Sequence, residues 1–245
     1  ETVRSGRGLD ALAASAPDVL AVVAYGELLP PSVLELPTVE PVNLHFSLLP
    51  ELRGASPVQT ALLRGMPETG VSTMVMAEGL DTGPVLLQAR APIGPDDDAG
   101  SLGARLAELG AHLLVETIDG LAAGTLDPED QDETRATLAP RLRAGDRVLD
   151  WREPAAALVN LTRALAPEPA ATTTFRDELL KVVRAEAGTG EGEPGTVVAV
   201  SKHGFGVAAG ADVFFPLELA PAGRRRMSAA EFVRGHRPRI GERLG

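Results

Sequence analysis

Between residues 126 and 137 the chain reads LDPEDQDETRAT, a polar, acidic stretch nearly free of apolar side chains. The rhythm of the sequence differs on its two sides. Before it, short Val- and Leu-rich runs alternate with helix-like stretches. After it, brief β-like runs follow one another between Gly-rich turns. Such a break points to two modest domains rather than one continuous core. We read residues 1–126 as an α/β domain, 127–150 as a linker and 151–245 as a small β-rich domain.

In the first part, LDALAASA has helical character, and DVLAVVAYG reads as a strand buried on both faces. EPVNLHFS is a second strand. ASPVQTALLRG suits a short helix, with Ser56 as N-cap and Pro57 in the first helical position. STMVMAEG and PVLLQARAPI are two more strands, separated by the turn-rich GLDTG. A long helix follows from Ser101 to about Ala123, with Leu102, Leu106, Leu109, Leu113 and Leu121 on or near one stripe. Strands alternating with helices predict a sheet that is at least partly parallel.

In the second part a helix near Pro154–Leu165 precedes TTTF, LLKVVRAE, GTVVAVS, GFGVAAG and DVFFPLEL. Many short strands in so few residues predict a small barrel or sandwich. The Gly-rich GTGEGEPG lacks the Lys-Ser/Thr of a phosphate loop, carries two Glu, and reads as a hairpin loop. Ser228 and Glu231 are spaced as a capping box that starts a last short helix.

Charge follows the same division. Residues 1–140 hold 7 basic and 21 acidic side chains, residues 141–245 hold 16 and 13, and seven Arg face two Glu from Arg224 onward. The net charge of −11 therefore conceals a basic end, a pointer to a polyanionic partner or simply a solvated tail. With no cysteine, disulfide frameworks and thiolate chemistry are excluded. No apolar run approaches the roughly 18 residues of a membrane span, so a soluble chain is expected, without a membrane partner. Asp96-Asp97-Asp98 lacks the spaced ligands of a calcium loop and reads as a solvated run ahead of the long helix; no metal site is expected.

Period-2 alternation puts Asn43 and His45 on one face at the end of the second strand, with Leu44 on the other. Carboxyl ends of strands are where open α/β sheets bind ligands. Asp81 sits in a second loop, between Gly79 and Gly83. An amide, an imidazole and a carboxylate suit acyl transfer to an amine: two donors for a developing oxyanion, and a carboxylate to orient the imidazole and move a proton. Spacing alone leaves a plainer reading open, in which Asn43 and His45 are hydrogen-bonded structural groups and Asp81 is turn chemistry. His112 reads as packing or partly exposed, His203 as a turn residue and His236 as part of the basic tail.

Over NLHFSLLPELRGASPVQTALLRGMPETGVSTMVMAEGLDTGPVL the chain resembles the folate-dependent formyltransferases, which share an Asn-x-His strand, a Ser-Leu-Leu-Pro turn, an Arg-Gly loop and a Leu-Asp-x-Gly loop. The resemblance implies a Rossmann-like catalytic domain in which Asn43, His45 and Asp81 form the catalytic trio. It implies 10-formyltetrahydrofolate as co-substrate, with Ser47, Leu48, Leu49 and Pro50 as the folate-binding turn. Tyr25, Gly26, Leu28 and Leu29, within AYGELLP, would wall the pterin pocket. Arg53 to Gln59, GMPETGVSTM, QDET (Gln131 to Thr134), LDW and PAGRRRMSAAEFVRG resemble the members that act on methionyl-tRNA. In those the second domain is similar to an OB-type barrel that contacts RNA, which implies charged initiator tRNA as partner and Arg224, Arg225 and Arg226 as phosphate contacts. A cytoplasmic monomer is expected.

Two departures accompany the likeness. Members of the family usually open with further βα units ahead of the point where this chain starts. The resemblance therefore implies an incomplete first domain with DVLAVVAYG left as an apolar sheet edge. The family's Asn-Pro-Trp-Pro-Gly-like segment reads APEPAA here, from Ala166 to Ala171, without its aromatic. Two rival readings stand beside the main one: a formyltransferase for a small amine such as an amino sugar nucleotide, and a fragment that binds RNA or folate without catalysis.

Overall fold

The computed structural model describes residue 3 and residues 5–245, which divide into two compact units. The first unit comprises Glu1–Ala61, Pro67–Ile93 and Gly103–Arg141; the second comprises Leu62–Met66, Gly94–Leu102 and Leu142–Gly245.

The first unit is a four-stranded sheet in the order β1-β2-β3-β4, from β1 (Val19–Val23), β2 (Glu40–His45), β3 (Glu68–Val75) and β4 (Val85–Pro92). β1 runs parallel to β2, whereas β2–β3 and β3–β4 are antiparallel, so the sheet is mixed. α1 (Gly6–Ala14), the single-turn α2 (Pro31–Leu34), α3 (Pro57–Leu63) and α4 (Ala99–Ala123) complete the helices up to residue 123. β3 is buried almost along its length, as a strand flanked on both edges should be.

β1 departs from the expectation of two buried faces. It stands at the end of the sheet order, paired only with β2 among the described residues, and Val23 is 43% exposed. Its apolar composition matched an interior strand, but sequence composition does not record which neighbours a strand has.

On α4, Leu106, Leu113 and Thr117 are buried at the spacing of one helical face, and Leu109 is half-buried. Gly110 lets this helix approach the sheet: a Cβ there would meet Leu44 Cδ2 at 2.7 Å. Thr117 Oγ1 and Thr73 Oγ1 share a buried hydrogen bond of 2.7 Å, satisfying both hydroxyls inside the apolar layer.

In the second unit β5 (Ala171–Phe175), β6 (Glu178–Gly188), β7 (Val197–Val200), β8 (Phe205–Ala208), β9 (Val213–Pro221) and β10 (Met227–Ser228) form an antiparallel sheet. The order is β5-β6-β9-β8-β7, with β10 on β9. GTGEGEPG is therefore not a hairpin loop. It joins β6 to β7, which are separated by β9 and β8, because β6 spends its free edge on the longer β9 instead. The chain end pairs near both ends of this order: Leu244 bridges Phe175 of β5, and Arg243 bridges Thr196 beside β7.

The core inside this sheet is aromatic. Phe232 stacks on Phe205 at 5.5 Å and meets Phe175 edge-on at 5.4 Å, while Trp151 meets Phe214 at 5.5 Å. α5 (Ala155–Leu165) and α6 (Ala229–His236) add Leu158, Leu165 and Phe232 to it. α6 starts on the expected capping box, Ser228 accepting from the Glu231 amide and Glu231 from the Ser228 amide. His236 stacks on Phe232 at 4.3 Å, while His112 and His203 are exposed. The Asp96–Asp98 run caps locally: Asp97 accepts from the Gly94 amide, Asp98 from the Ser101 amide, and Asp96 pairs with Arg184 at 3.0 Å.

Candidate active site

β1 and β2 are parallel, so their carboxyl ends leave the sheet on the same side, and a cavity of about 340 Å³ lies there. Asn43 and His45 reach it from β2, Asp81 from the β3–β4 loop, and Tyr25, Gly26, Leu28 and Leu29 from the segment after β1. Val22, Leu34, Met74, Met76 and Leu80 make most of the remaining wall apolar. A largely apolar cleft with a few convergent polar groups is the usual form of a small-molecule site.

Asn43 donates one amide N–H to the Val22 carbonyl of β1 at 3.1 Å. The amide has a second N–H and an oxygen still to commit. His45 is buried, and its Nε2 lies 2.9 Å from the Leu52 carbonyl. A carbonyl only accepts, so Nε2 carries the proton and Nδ1 is the edge turned toward Asp81, whose Oδ2 is 3.6 Å away. That same Oδ2 accepts the Gly54 amide at 2.7 Å.

Backbone geometry holds these anchors. Leu52 has φ 60°, which presents its carbonyl to the imidazole, and Asp81 has φ 53°. Gly54 has φ 121°, and a Cβ there would lie 2.7 Å from the Ala139 carbonyl oxygen, so only glycine fits.

Four of the eight residues expected at the folate, Tyr25, Gly26, Leu28 and Leu29, come together with the trio. The other four, Ser47, Leu48, Leu49 and Pro50, are not among the residues that line this cavity. Ser47 Oγ donates to the Glu51 carbonyl, its own carbonyl accepts from Ser72 Oγ, and the Leu49 amide donates to Ser72 Oγ. These bonds fix the turn that leads into Leu52–Gly54.

Sequence reasoning missed Arg141, which lines the cavity, and the partners of Arg53. Arg53 is only 5% exposed, yet it is satisfied: Nε and Nη2 donate to Gln131 Oε1 at 3.0 and 2.8 Å, and Nη1 and Nη2 to the Glu133 carboxylate at 3.0 and 2.8 Å. Accepting from the Arg53 guanidinium holds the Glu133 carboxyl below its ordinary range. Both partners come from the stretch that composition marks as linker. Their likeness to the family's QDET was the one signal available.

In the second unit Arg224, Arg225 and Arg226 line an open concave surface with Lys181 and Glu168. Their settings differ. Arg226 donates to the Pro167 carbonyl at 2.7 Å and to Glu168 at 3.3 Å, and Arg225 pairs with Glu231 at 3.3 Å. The Arg224 side chain is exposed and has no partner among the described residues.

A family model described as formyl transferase matches residues 4–118, and one described as formyl transferase, C-terminal domain, matches residues 141–237. A methionyl-tRNA formyltransferase of Trichlorobacter lovleyi is 43% identical over 242 residues, covering 99% of this chain and 77% of its own length. One from Acidithiobacillus ferrooxidans is 45% identical over 247 residues, covering 100% and 79%. Among solved structures, HypX from Aquifex aeolicus in complex with tetrahydrofolic acid superposes with a TM-score of 0.69 at 17% identity, over 91% of this chain and 40% of that one, a likeness of fold. With both halves matched and identity sustained across nearly the whole length, the chain belongs to the formyltransferases, in the methionyl-tRNA formyltransferase family.

Proposed function

We propose that this chain transfers the formyl group of 10-formyltetrahydrofolate to the amino group of methionine on charged initiator tRNA, at the cavity formed by Asn43, His45 and Asp81. The observation that carries the reading is the meeting of these three side chains at the carboxyl ends of β1 and β2, beside an apolar wall suited to a pterin ring. The bound folate supplies the formyl carbon and leaves with the electron pair and a proton on its nitrogen.

The protein's part is donors, orientation and proton movement. Asn43 turns its uncommitted N–H toward the formyl oxygen. His45 is held by Leu52 through Nε2, so only Nδ1 can serve the reaction, and it donates only as imidazolium, with Asp81 as counter-charge. Asp81 keeps Oδ1 to receive the proton that the attacking amine loses, because Gly54 occupies Oδ2. Charge developing on the formyl oxygen thus meets donors already in place. The Leu48–Pro50 turn acts on the folate through the cavity wall it shapes.

Arg224, Arg225 and Arg226 contact tRNA phosphates in this reading, with Arg224 the most available, and Arg141 adds positive charge at the cavity. Domain limits of 1–126 and 151–245 about a connecting stretch suit this division of labour, with the second domain as an OB-type barrel. Among the described residues no helix is long and apolar enough to cross a membrane. We place the chain in the cytoplasm as a monomer, where initiator tRNA is charged.

The test is formylation of methionyl initiator tRNA against an amino sugar nucleotide, both with 10-formyltetrahydrofolate. Formylated tRNA without formylated sugar is expected. Sugar formylation alone would overturn the choice of acceptor.

A further inference from the structure

Asp81 is held at two points, and both lead back to one buried arginine. Its carboxylate accepts the amide of Gly54, the residue after Arg53. Its main-chain carbonyl accepts from Gln131 Nε2 at 2.9 Å, and the same nitrogen donates to the Gly83 carbonyl at 2.7 Å. Both Gln131 amide protons are thereby spent on the Asp81 loop. Its oxygen is spent on Arg53, whose guanidinium commits its remaining bonds to Glu133.

The main chain repeats the connection. The Arg53 amide donates to the Thr137 carbonyl at 2.8 Å, and its carbonyl accepts from Ala139 at 2.7 Å. The Leu52 amide donates to Thr137 Oγ1 at 2.9 Å, and Leu52 presents the carbonyl that anchors His45. The anchors of His45 and Asp81 therefore flank Arg53 in sequence. Gln131 is a side chain that ties this Arg directly to the loop carrying Asp81.

Asp81 sits at φ 53°, a left-handed conformation that a non-glycine residue holds only when its surroundings fix it, so the bonds from Gly54 and Gln131 bear on its place. A charged guanidinium surrounded by satisfied partners is a rigid fixture, because releasing one partner would strand a buried charge. We infer that Gln131, locked by Arg53 and Glu133, is a positioning residue that sets the Asp81 carboxylate against His45. It does not line the cavity. The inference rests on the reading of Asn43, His45 and Asp81 as the catalytic centre.

The experiment compares the full chain with Gln131→Ala and Gln131→Glu. It follows turnover, the KM for 10-formyltetrahydrofolate, thermal melting, and the imidazole 15N resonances of its four histidines. Both variants are expected to melt cooperatively and keep KM within about twofold, while kcat falls by about 30- to 100-fold, the usual cost of a small misplacement at a reacting centre. The His45 ring resonances should shift as they do in Asp81→Asn, with His112, His203 and His236 unmoved. Should Gln131→Ala lose its fold, Gln131→Glu carries the test, since it keeps an oxygen facing Arg53 and puts a carboxylate oxygen in place of the donors to Asp81 and Gly83.

Unchanged kcat, or a fall in kcat with the His45 resonances in place, would overturn the inference. The resonance measurement needs no turnover. Asn43→Ala separates the two possible failures. If turnover survives that change, the catalytic assignment falls. If turnover is lost there but survives in the Gln131 variants, only the positioning role falls.

Discussion

Arg53 and Arg224 carry the same planar cation into opposite settings. In the first unit Arg53 is buried, and its side chain is spent on Gln131 and Glu133. In the second unit Arg224 stands exposed at the rim of a concave surface with no side-chain partner among the described residues. A guanidinium that is fully paired and desolvated can fix geometry but has little left to offer a substrate. One that is solvated fixes nothing, yet can neutralise a phosphate wherever the polyanion places it. In the function proposed above, the two units would use one residue type for separate tasks, precision at the reacting atoms and adaptable attraction at the nucleic acid.

The largest expected effect lies at the trio. His45→Ala should lower kcat by about a thousandfold, since it removes a donor and strands the Leu52 carbonyl, while tRNA affinity stays within twofold or so. A parallel loss of affinity would mean that the catalytic cavity and the recognition surface are not the separate devices described. Arg53→Lys comes next. An ammonium cannot reproduce the four N–H bonds of the fork, so stability should fall by about 2 kcal/mol or more, read by denaturant melts. The same change at Arg224 should leave the melt unmoved.

These contrasts also mark what the sequence makes legible. Strand alternation and a Gly-flanked turn are local patterns that offered Asn43, His45 and Asp81 as candidates, while the reading of them as a trio came from the likeness to the family. The capping box at Ser228 and Glu231 and the face of α4 were readable for the same reason. The partnership of Arg53 with Gln131 and Glu133 was not. An acidic stretch has the same composition whether its side chains are solvated or folded onto a buried arginine 78 residues away. Strand pairing failed likewise at GTGEGEPG, where the turn chemistry of a hairpin was present but β6 took β9 as its partner. The bridges of Arg243 and Leu244 had no local signature either.

At the basic surface the effects are smaller and depend on salt. Arg224→Ala should weaken tRNA binding several-fold at low salt and reduce the slope of log affinity against log salt by about one, with kcat at saturating tRNA unchanged. An unaltered slope would remove Arg224 from the interface. The smallest effect is a gain. Glu168 accepts hydrogen bonds from Lys181 and Arg226, and these hold its carboxyl below its ordinary value of 4.5. A depressed carboxyl stays charged until the pH has fallen through that lowered value, so mild acidification does not release the two cations. Glu168→Gln does, and it should tighten tRNA binding about two- to threefold in a filter-binding titration. Weaker binding in that variant would show that Glu168 orders the basic surface rather than competing with the RNA.

The central claim is that chemistry resides in the Asn43–His45–Asp81 cavity and can be removed without touching recognition. Formyl transfer from 10-formyltetrahydrofolate to methionyl initiator tRNA, followed in a single turnover with Asn43→Ala alongside, tests it most directly. The account predicts product from the unaltered chain, and a rate about a hundredfold or more lower in the variant at equal tRNA occupancy. Equal rates in the two proteins would contradict it.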